Sequence, residues 1–185
     1  MLSVIIATHE SQGPLLRTLA ILIPGAVAGI VREVIVADAG SNDATAAVAD
    51  LAGCQLLVSS AARGARLKAA AASARAPWLL FLQPGTVLDA TWIDDAARFI
   101  AEENARSAGD SRAAVLRPRS GAAGRHSPLR EALSLLWAAV DGRARSQHGL
   151  LIAKRLYDSL GGHQPHANPE ADLRRRLGWR RIIIL

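Results

Sequence analysis

The chain has 185 residues, one cysteine and a formal net charge of +6, from 22 basic and 16 acidic residues. This length predicts one domain over residues 1–185, and the lone Cys54 excludes both an intramolecular disulfide framework and a cysteine zinc site. No apolar run reaches the roughly 18 residues of a membrane-spanning helix, so we expect a cytoplasmic protein.

Short β-rich runs alternate with longer helical stretches in the first half of the chain. Buried-strand patterns occur at Ser3–Ala7, Glu33–Ala37, Gln55–Ser59 and Trp78–Leu82. The predicted helices between them are one that begins near Pro14, one that Ser41 or Asn42 caps and that runs to about Leu51, and an alanine-rich one over Ala65–Ala76. A Gln83-Pro84-Gly85 turn follows the fourth strand.

The second half continues the alternation with shorter elements. Helices are predicted from Trp92 to about Ala105, from a Ser127 cap onward, over Lys154–Leu160 and over Pro169–Leu177. Strands are predicted over Ala113–Leu116, Leu150–Ala153 and Arg181–Leu185. Neither an internal repeat nor a domain boundary is evident.

This order of elements predicts an α/β fold, a Rossmann-like three-layer α/β/α arrangement with a mainly parallel central sheet. Ligands of such sheets bind beyond the carboxyl ends of the strands. The residues to consider for function therefore follow the strands. They are Thr8-His9-Glu10, Asp38, Ser60 to Arg66 and Gln83 to Thr86.

The loop after the first strand contains neither a GxGxxG nor a GxxxxGK[ST] pattern. The absence of these two patterns excludes the ordinary fingerprints of dinucleotide binders and P-loop enzymes. Asp38, after the second strand, could accept hydrogen bonds from a ribose hydroxyl or a base N–H. Its alternative interpretation is a turn former beside Gly40, and that of Asn42 is a helix cap.

Four segments occur in an order typical of one enzyme family. They read VIIATHES, VIVADAGSNDAT, ARGARLKAAAASARAPWLLFLQPGT and QHGLLIAKRLYDSLGGHQPHANPEADLRRRL. Together they resemble the family 2 (GT-A) glycosyltransferases, and most of all the short bacterial subgroup called arsenosugar-biosynthesis-type glycosyltransferases. The similarity covers nearly the whole chain.

The resemblance implies a nucleotide-diphosphate sugar as donor, a hydroxyl acceptor of unknown identity, and the GT-A fold. By motif position it implies nucleotide contacts from Thr8, Glu10, Asp38 and Arg63, the last followed by Gly64. Gln147 matches the glutamine of the subgroup's Asp-Gln-Gly motif, with His148 inserted, and is expected to bind substrate, as is Asp172. The alternative interpretation of Gln147 is a surface residue leading into a strand.

The family's catalytic base comes from an acidic pair shortly before an Asp-Leu-x-x-Arg-Leu ending, and the resemblance therefore implies Glu170 as the base. The local sequence supports this role, because Asn168 is a good N-cap and Pro169 a good first-turn residue. Glu170 would then lie at a helix N-terminus, where the helix dipole favours the ionised carboxylate that a general base requires. Acidic residues are also common in first turns for that same reason.

The sequence departs from the family where a divalent metal is usually bound. GT-A enzymes place a DxD-type motif after the fourth strand, whereas this chain has Gln83, Pro84 and Gly85 there. Mg²⁺ or Mn²⁺ needs carboxylate oxygens, and none occurs between Arg75 and Asp89. Either the cations Arg63, Arg66 and Lys68 neutralise the diphosphate in place of a metal, or turnover has been lost.

Two further features each allow two interpretations. His163 and His166 could bind a metal, but they lack partner carboxylates other than Glu170, so a solvated loop is the expectation. The arginine-rich C-terminal end could be a solvated basic face or a peripheral contact with an anionic inner membrane. We do not expect nucleic-acid binding, because only Trp179 accompanies these arginines as a stacking aromatic residue.

Three functions fit these observations. The first is an inverting glycosyltransferase with Glu170 as its base. The second is a catalytically inactive GT-A-like protein that binds a nucleotide or a protein partner, because fold and function are separable. The third is a nucleotidyltransferase, against which the absence of a glycine- and lysine-rich loop after the first strand argues.

Overall fold

The structure is a computed structural model that describes residues 1–106, 111–116 and 149–185. Its strands are β1 (Leu2–Thr8), β2 (Val31–Asp38), β3 (Gln55–Val58), β4 (Trp78–Leu82), β5 (Ala113–Leu116), β6 (Gly149–Ala153) and β7 (Ile182–Ile184). Its helices are α1 (Gln12–Val27), α2 (Thr45–Leu51), α3 (Arg63–Ser73), α4 (Trp92–Asn104), α5 (Lys154–Ser159) and α6 (Pro169–Leu177). Every strand predicted from the sequence is confirmed to within about two residues. The helix predicted from Ser127 lies outside the described residues.

The strands form one seven-stranded sheet in the order β3-β2-β1-β4-β6-β5-β7. The strands β1 to β4 pair in parallel, and β6 runs antiparallel to both of its neighbours. All residues of β1 and β4 are buried, which explains why β4 and residues 4–7 of β1 are continuous apolar runs without alternation. The predicted α/β fold with a mainly parallel central sheet is confirmed.

Helices cover both faces of the sheet, as right-handed crossovers require. On one face α1 contacts α2, and Trp92 of α4 packs so close to α1 that a Cβ atom on Gly25 would lie 2.6 Å from the indole ring. On the other face α3 packs on β1 and β2 and contacts α6. The result is the expected α/β/α arrangement.

The prediction that Ser41 or Asn42 caps α2 was wrong. The helix begins at Thr45, whose N–H donates to Asp43 Oδ1 at 2.9 Å. Ser41 instead donates its hydroxyl to Asp38 (2.6 Å), and the N–H of Asn42 donates to Glu10 Oε1 (2.7 Å). Ser41 is thus bonded to the end of β2, and Asn42 to a residue about thirty positions away. Helix-capping rules consider only the residues at the helix end, so they miss both contacts.

The side chains at the amino ends of the strands differ in polarity from those at the carboxyl ends. A depression of ≈ 510 Å³ between α1 and α2 lies towards the amino ends of β2 and β3, and its lining, from Leu16 to Cys54, is almost wholly apolar. Polar and charged side chains gather instead at the carboxyl ends of β1, β2 and β4. No described helix combines the length and apolarity needed to cross a membrane.

Candidate functional site

Arg66 joins the ends of the two strands that form the rim of the site. It projects from the first turns of α3, and its Nη1 donates to the carbonyl oxygens of Thr8 (2.9 Å) and Ala37 (2.6 Å). Its Nε donates to Ala61 O at 3.2 Å, and the residue is 8% exposed. Burial lowers the pKa of Arg66 from its ordinary value. The guanidinium therefore completes the hydrogen bonding of the strand ends, and a phosphate contact from it stays a prediction.

Asp38 holds the loop that follows β2. Its carboxylate accepts hydrogen bonds from the hydroxyls of Thr8 (2.7 Å) and Ser41 (2.6 Å) and from the N–H groups of Ser41 (2.6 Å) and Gly40 (2.9 Å). Burial alone would raise the pKa of this carboxyl group, but these four hydrogen bonds outweigh it and lower the pKa from its usual value. Asp38 and Thr8 are each 1% exposed, so both support the loop after β2 from below, and nucleotide contacts from them stay predictions.

Glu10 links the loops after β1 and β2 at the surface. Its N–H donates to Ser41 Oγ at 2.8 Å, and its Oε1 accepts from Asn42 N at 2.7 Å. Its backbone φ of 46° lies in the left-handed region, which a non-glycine residue rarely occupies and which often marks a functional loop. Glu10 is exposed at the rim and can reach a ligand without any rearrangement of the sheet.

An ion pair between α3 and α6 lies at the same rim. Arg63 Nε donates to Glu170 Oε1 at 2.7 Å, and the side chains are 34% and 17% exposed. Arg63 Nη1 also lies 3.4 Å from the carbonyl oxygen of Ala7, at the end of β1. A guanidinium has five N–H donors, so others remain for a ligand. Residues that the sequence placed near a nucleotide and at a catalytic base, 107 positions apart, are therefore in contact.

Two local features bring Glu170 to this position. Asn168 Oδ1 accepts from Ala171 N at 3.0 Å, so the predicted N-cap is confirmed and Glu170 lies in the first turn of α6. The segment before α6 also packs directly on Gly64, where a Cβ atom would lie 2.0 Å from the carbonyl oxygen of Gln164. Only glycine allows α3 and this segment to approach so closely.

Lys68 and Asp172 occupy different environments. Lys68 is exposed, five residues or about 7 Å along α3 from Arg63. Asp172 is 8% exposed, and its carboxylate accepts from Arg175 (2.7 Å) and Arg176 (2.9 Å). Arg176 also donates to Gly162 O at 2.7 Å, so Asp172 anchors the loop between α5 and α6. Substrate contacts from Lys68 and Asp172 stay predictions, and Gln147 lies outside the described residues.

The expected solvated loop around His163 was wrong. His163 is 0% exposed, and its ring packs edge-on against Phe81, with ring centroids 4.7 Å apart. Its Nδ1 lies 3.0 Å from the hydroxyl of Tyr157. Burial in this apolar setting lowers the pKa of His163 to about 4, so the ring is neutral at neutral pH. His166, in contrast, is exposed as expected.

His163 lines a small cavity together with the Arg63–Glu170 pair. The cavity also contacts Leu67, Phe81, Leu82, Gln83, Leu150 and Arg174. Sequence reasoning missed this buried histidine because its neighbours in the chain are glycine, glutamine and proline, a composition that is typical of an exposed loop. The Tyr157–His163 contact, across six positions, carries no sequence signal of its own.

The residues at the rim do not fit a divalent metal ion. The turn after β4 offers only the amide of Gln83. The carboxylates at the rim accept hydrogen bonds from within the protein: Asp38 from its loop, Glu10 from Asn42, and Glu170 from Arg63. Among the described residues no group of three or more His, Cys, Asp or Glu side chains could hold a metal.

The C-terminal arginines divide into two groups. Arg175 and Arg176 both bond Asp172, and Arg176 also bonds the backbone, while Arg180 and Arg181 are exposed. Trp179 beside them is 81% exposed. An exposed tryptophan among arginines is typical of proteins that bind lipid headgroups. Peripheral membrane contact stays a prediction.

Comparisons with solved structures identify the fold. The structure of S. aureus TarS 1-349 matches with a TM-score of 0.63 and 18% identity over 100% of this chain and 57% of that one. Glucosyl-3-phosphoglycerate synthase from Mycobacterium tuberculosis, in complex with Mn²⁺, UDP and glucosyl-3-phosphoglycerate, matches with a TM-score of 0.62 and 18% identity over 100% of this chain and 68% of that one. The mannosyltransferase PcManGT from Pyrobaculum calidifontis, in complex with GDP-Man and Mn²⁺, matches with a TM-score of 0.69 and 15% identity over 100% of this chain and 54% of that one.

These likenesses confirm the GT-A fold, and the chain spans little more than half the length of the TarS and PcManGT chains. A search of curated proteins finds no match to this sequence. The family model described as glycosyl transferase family 2 matches residues 3–158, which is most of the chain. The protein therefore belongs to glycosyl transferase family 2.

Proposed function

We propose that this protein transfers a sugar from a nucleotide-diphosphate donor to a hydroxyl acceptor, with inversion at the anomeric carbon and Glu170 as general base. The observation that carries the proposal is the contact between Arg63 and Glu170 at the carboxyl rim of the sheet, 2.7 Å apart. This reaction needs a cation for the diphosphate and a carboxylate for the hydroxyl proton in one cleft, on opposite faces of the anomeric carbon, and the contact brings both groups to one rim.

The donor fits across the loops that follow β1 and β2. Glu10 is exposed there and can meet the nucleoside, while Asp38 and Thr8 hold the loop beneath it. The diphosphate would then lie at Arg63 and the first turn of α3. Ala62, the N-cap of this helix, has no side chain that could bond the first N–H groups. These N–H groups would then donate to the diphosphate together with Arg63.

The reaction is a single displacement. The acceptor oxygen forms a bond to the anomeric carbon as the bond from that carbon to the diphosphate oxygen breaks, with its electron pair leaving on the diphosphate. Glu170 receives the acceptor's hydroxyl proton. Charge that develops on the diphosphate is met by Arg63, and the step as written needs no metal ion.

The Mn²⁺ in the M. tuberculosis and P. calidifontis complexes belongs to those proteins. Since the described rim lacks a metal-binding group, metal independence is part of the proposal for this chain. The closer resemblance to the arsenosugar-biosynthesis-type subgroup, the nature of the sugar, and a cytoplasmic location stay predictions.

A second candidate is a non-catalytic protein that binds a nucleotide or a protein partner. The same observation favours it, because an ion pair between Arg63 and Glu170 also joins α3 to α6 without any catalytic role. Only the first candidate turns over a nucleotide sugar, which makes the two separable by experiment.

Nucleotide binding is tested by titrating UDP and GDP calorimetrically in EDTA and in Mn²⁺. We expect one nucleotide to bind equally well in both, and Arg63→Ala to weaken binding by roughly 10-fold to 100-fold through loss of charge-assisted hydrogen bonds. Arg75→Ala is the matched control, because Arg75 Nε bonds Glu33 at the same 2.7 Å but at the amino edge of the sheet. No affinity for either nucleotide would contradict the transferase that uses these donors and the nucleotide-binding form of the second candidate.

Turnover is tested by following transfer and hydrolysis of the corresponding nucleotide sugar. Glu170→Gln should lower the rate by roughly 10²-fold to 10⁴-fold and leave nucleotide affinity intact, as expected on losing a general base. Glu102→Gln, an exposed carboxylate of α4 that also lies near an arginine, should have no effect. Tight binding without any turnover in the unaltered protein would establish the non-catalytic candidate instead.

A further inference from the structure

The buried pair Tyr157 and His163 lies beside the proposed base, yet the reaction as described does not use it. The hydroxyl oxygen of Tyr157 accepts the backbone N–H of His163 at 2.9 Å and lies 3.0 Å from His163 Nδ1. Tyr157 is 1% exposed, and burial raises its pKa to about 12, so its hydroxyl keeps its proton.

The hydrogen bonds of this pair determine where the proton of the imidazole lies. Since the oxygen of Tyr157 accepts the backbone N–H, its own proton needs an acceptor, and Nδ1 is the acceptor found among the described residues. A neutral imidazole that accepts at Nδ1 carries its hydrogen on Nε2. His163 is therefore a donor on the side of the ring that faces away from Tyr157.

This donor has no partner in the described part of the chain. His163 Nε2 is buried without a hydrogen bond there, which is costly for a polar group. Glu170 uses Oε1 for Arg63, and no contact is found for its Oε2 within the described ranges. His163 and Glu170 thus line one cavity, and within the described ranges the Nε2–H of one and the Oε2 of the other have unused hydrogen-bonding capacity.

The cavity is the size of one oxygen-centred group. The space open to the centre of a water molecule is ≈ 20 Å³, whereas a single water needs roughly 10–15 Å³ by the same measure. An oxygen there can accept from His163 Nε2–H and donate its own proton to Glu170. Water and an alcohol both have this combination of donor and acceptor, whereas a phosphate oxygen has no proton for Glu170.

We propose that His163 is a positioning residue that holds a hydroxyl oxygen, from water or from the acceptor, against the carboxylate of Glu170. This inference rests on the proposed function for its kinetic consequence and on the cavity alone for the bound oxygen. It assigns to the site a requirement for a ligand that accepts one hydrogen bond and donates another.

The bound oxygen is tested without any assay of activity. A crystal structure of the full chain at about 1.5 Å should show an ordered oxygen within hydrogen-bond distance, roughly 2.7–3.2 Å, of both His163 Nε2 and Glu170 Oε2. Long-range ¹H–¹⁵N spectra of histidine-labelled protein should show the Nε2–H tautomer. An empty cavity, or a hydrogen on Nδ1, would overturn the proposal even if the protein is an active transferase.

Variants then identify the source of the oxygen. His163→Phe should raise the acceptor KM roughly 3-fold to 10-fold, the value of one hydrogen bond, if the oxygen belongs to the acceptor. If it is water, donor hydrolysis should fall by that factor while the acceptor KM stays constant. His163→Gln, whose amide N–H replaces Nε2–H, should restore the affected value at least in part, and equal defects in both variants would contradict a role for this donor.

Tyr157→Phe separates this role from packing. Loss of the Tyr157 hydroxyl frees Nδ1, so the tautomer should become mixed in the spectra while the ring remains buried. If the unaltered protein shows no transfer and no hydrolysis, the proposed function fails, whereas the oxygen and the tautomer still decide the present inference.

Discussion

At the scale of single residues, the site depends on Asp38 as a junction of hydrogen bonds. Its two carboxylate oxygens accept from four donors, which come from the end of β1 and from the loop after β2. Replacement of Asp38 by asparagine turns one acceptor oxygen into an NH₂ group. This group is itself a donor, so at least one of the four donors loses its acceptor.

We therefore predict that Asp38→Asn lowers the free energy of unfolding by about 1–3 kcal/mol, the cost of leaving buried partners unsatisfied. Urea denaturation followed by circular dichroism measures this value. Asp50→Asn is the control, because Asp50 is exposed on α2 and should change stability by less than about 0.5 kcal/mol. Equal effects of the two substitutions would show that the network contributes nothing.

His163 makes stability depend on pH in a defined window. Burial lowers its pKa to about 4, against about 6.5 in the unfolded chain. Between these values the unfolded chain binds more protons than the folded protein, so stability falls as the pH falls from about 6.5 towards 4.

For this single group the loss between pH 7.5 and pH 5 is about 2 kcal/mol. We predict that His163→Phe removes this part of the pH dependence, as measured by the difference in urea denaturation between the two pH values. His9→Phe should retain it, because His9 is exposed. The prediction fails if the unaltered protein and His163→Phe show the same difference in unfolding free energy between pH 7.5 and pH 5.

At the scale of secondary structure elements, the site exists because α3 and α6 meet at Gly64. A methyl group there would lie 2.0 Å from the backbone oxygen of Gln164, and a backbone oxygen cannot move aside as a flexible side chain can. The segment that leads to Glu170 would have to shift away from Arg63.

We predict that Gly64→Ala destabilises the protein by about 2 kcal/mol or more through overpacking and weakens nucleotide binding. Gly13→Ala is a close control, since Gly13 is likewise the second residue of a helix but has its nearest neighbour, Arg17 Nη1, 4.0 Å away. Alanine has the higher helix propensity, so Gly13→Ala should be neutral or stabilising by up to about 1 kcal/mol. Thermal unfolding of both variants distinguishes a packing effect from a general effect of glycine replacement.

At the scale of the whole molecule, stability should decrease from the centre of the sheet to its edges. Strands β1 and β4 are central and wholly buried, whereas the edge strands β3 and β7 are half-exposed. Amide hydrogen exchange read by mass spectrometry should be slower in β1 and β4 than in β3 and β7 by a factor of at least ~100. Uniform exchange across the sheet would contradict this expectation and indicate a single global opening.

The arrangement of the whole sheet also brings the site together. Arg63 follows β3 in sequence, yet the crossover through α3 returns the chain to β4, next to β1. Parallel pairing of β1, β2 and β4 aligns their carboxyl ends, and Arg63 and Arg66 hydrogen-bond to backbone oxygens at the ends of β1 and β2. Position in the sheet, rather than proximity in sequence, selects the residues of the rim.

The sequence by itself determined the elements, the class of fold and the segments that contribute to the site. Apolar runs such as Trp78–Leu82 predict buried parallel strands because both faces of such a strand are covered, and local capping signals such as Asn168-Pro169 need only neighbouring residues. Both signals are patterns of neighbouring residues, so they can be read along the chain.

Only the tertiary structure decided how the side chains of these segments are buried and which partners they bond. Asp38, Arg66 and Asp172 have the residue types of a binding site, but each is buried and bonded within the protein: Arg66 to backbone oxygens at the ends of β1 and β2, Asp38 to its loop and Thr8, and Asp172 to two arginines of α6. His163 has the sequence surroundings of a surface loop, but the packing of Phe81 and Tyr157 buries it beside Glu170. Hydrogen-bond partners and burial are set by residues distant in sequence, and no local pattern records them.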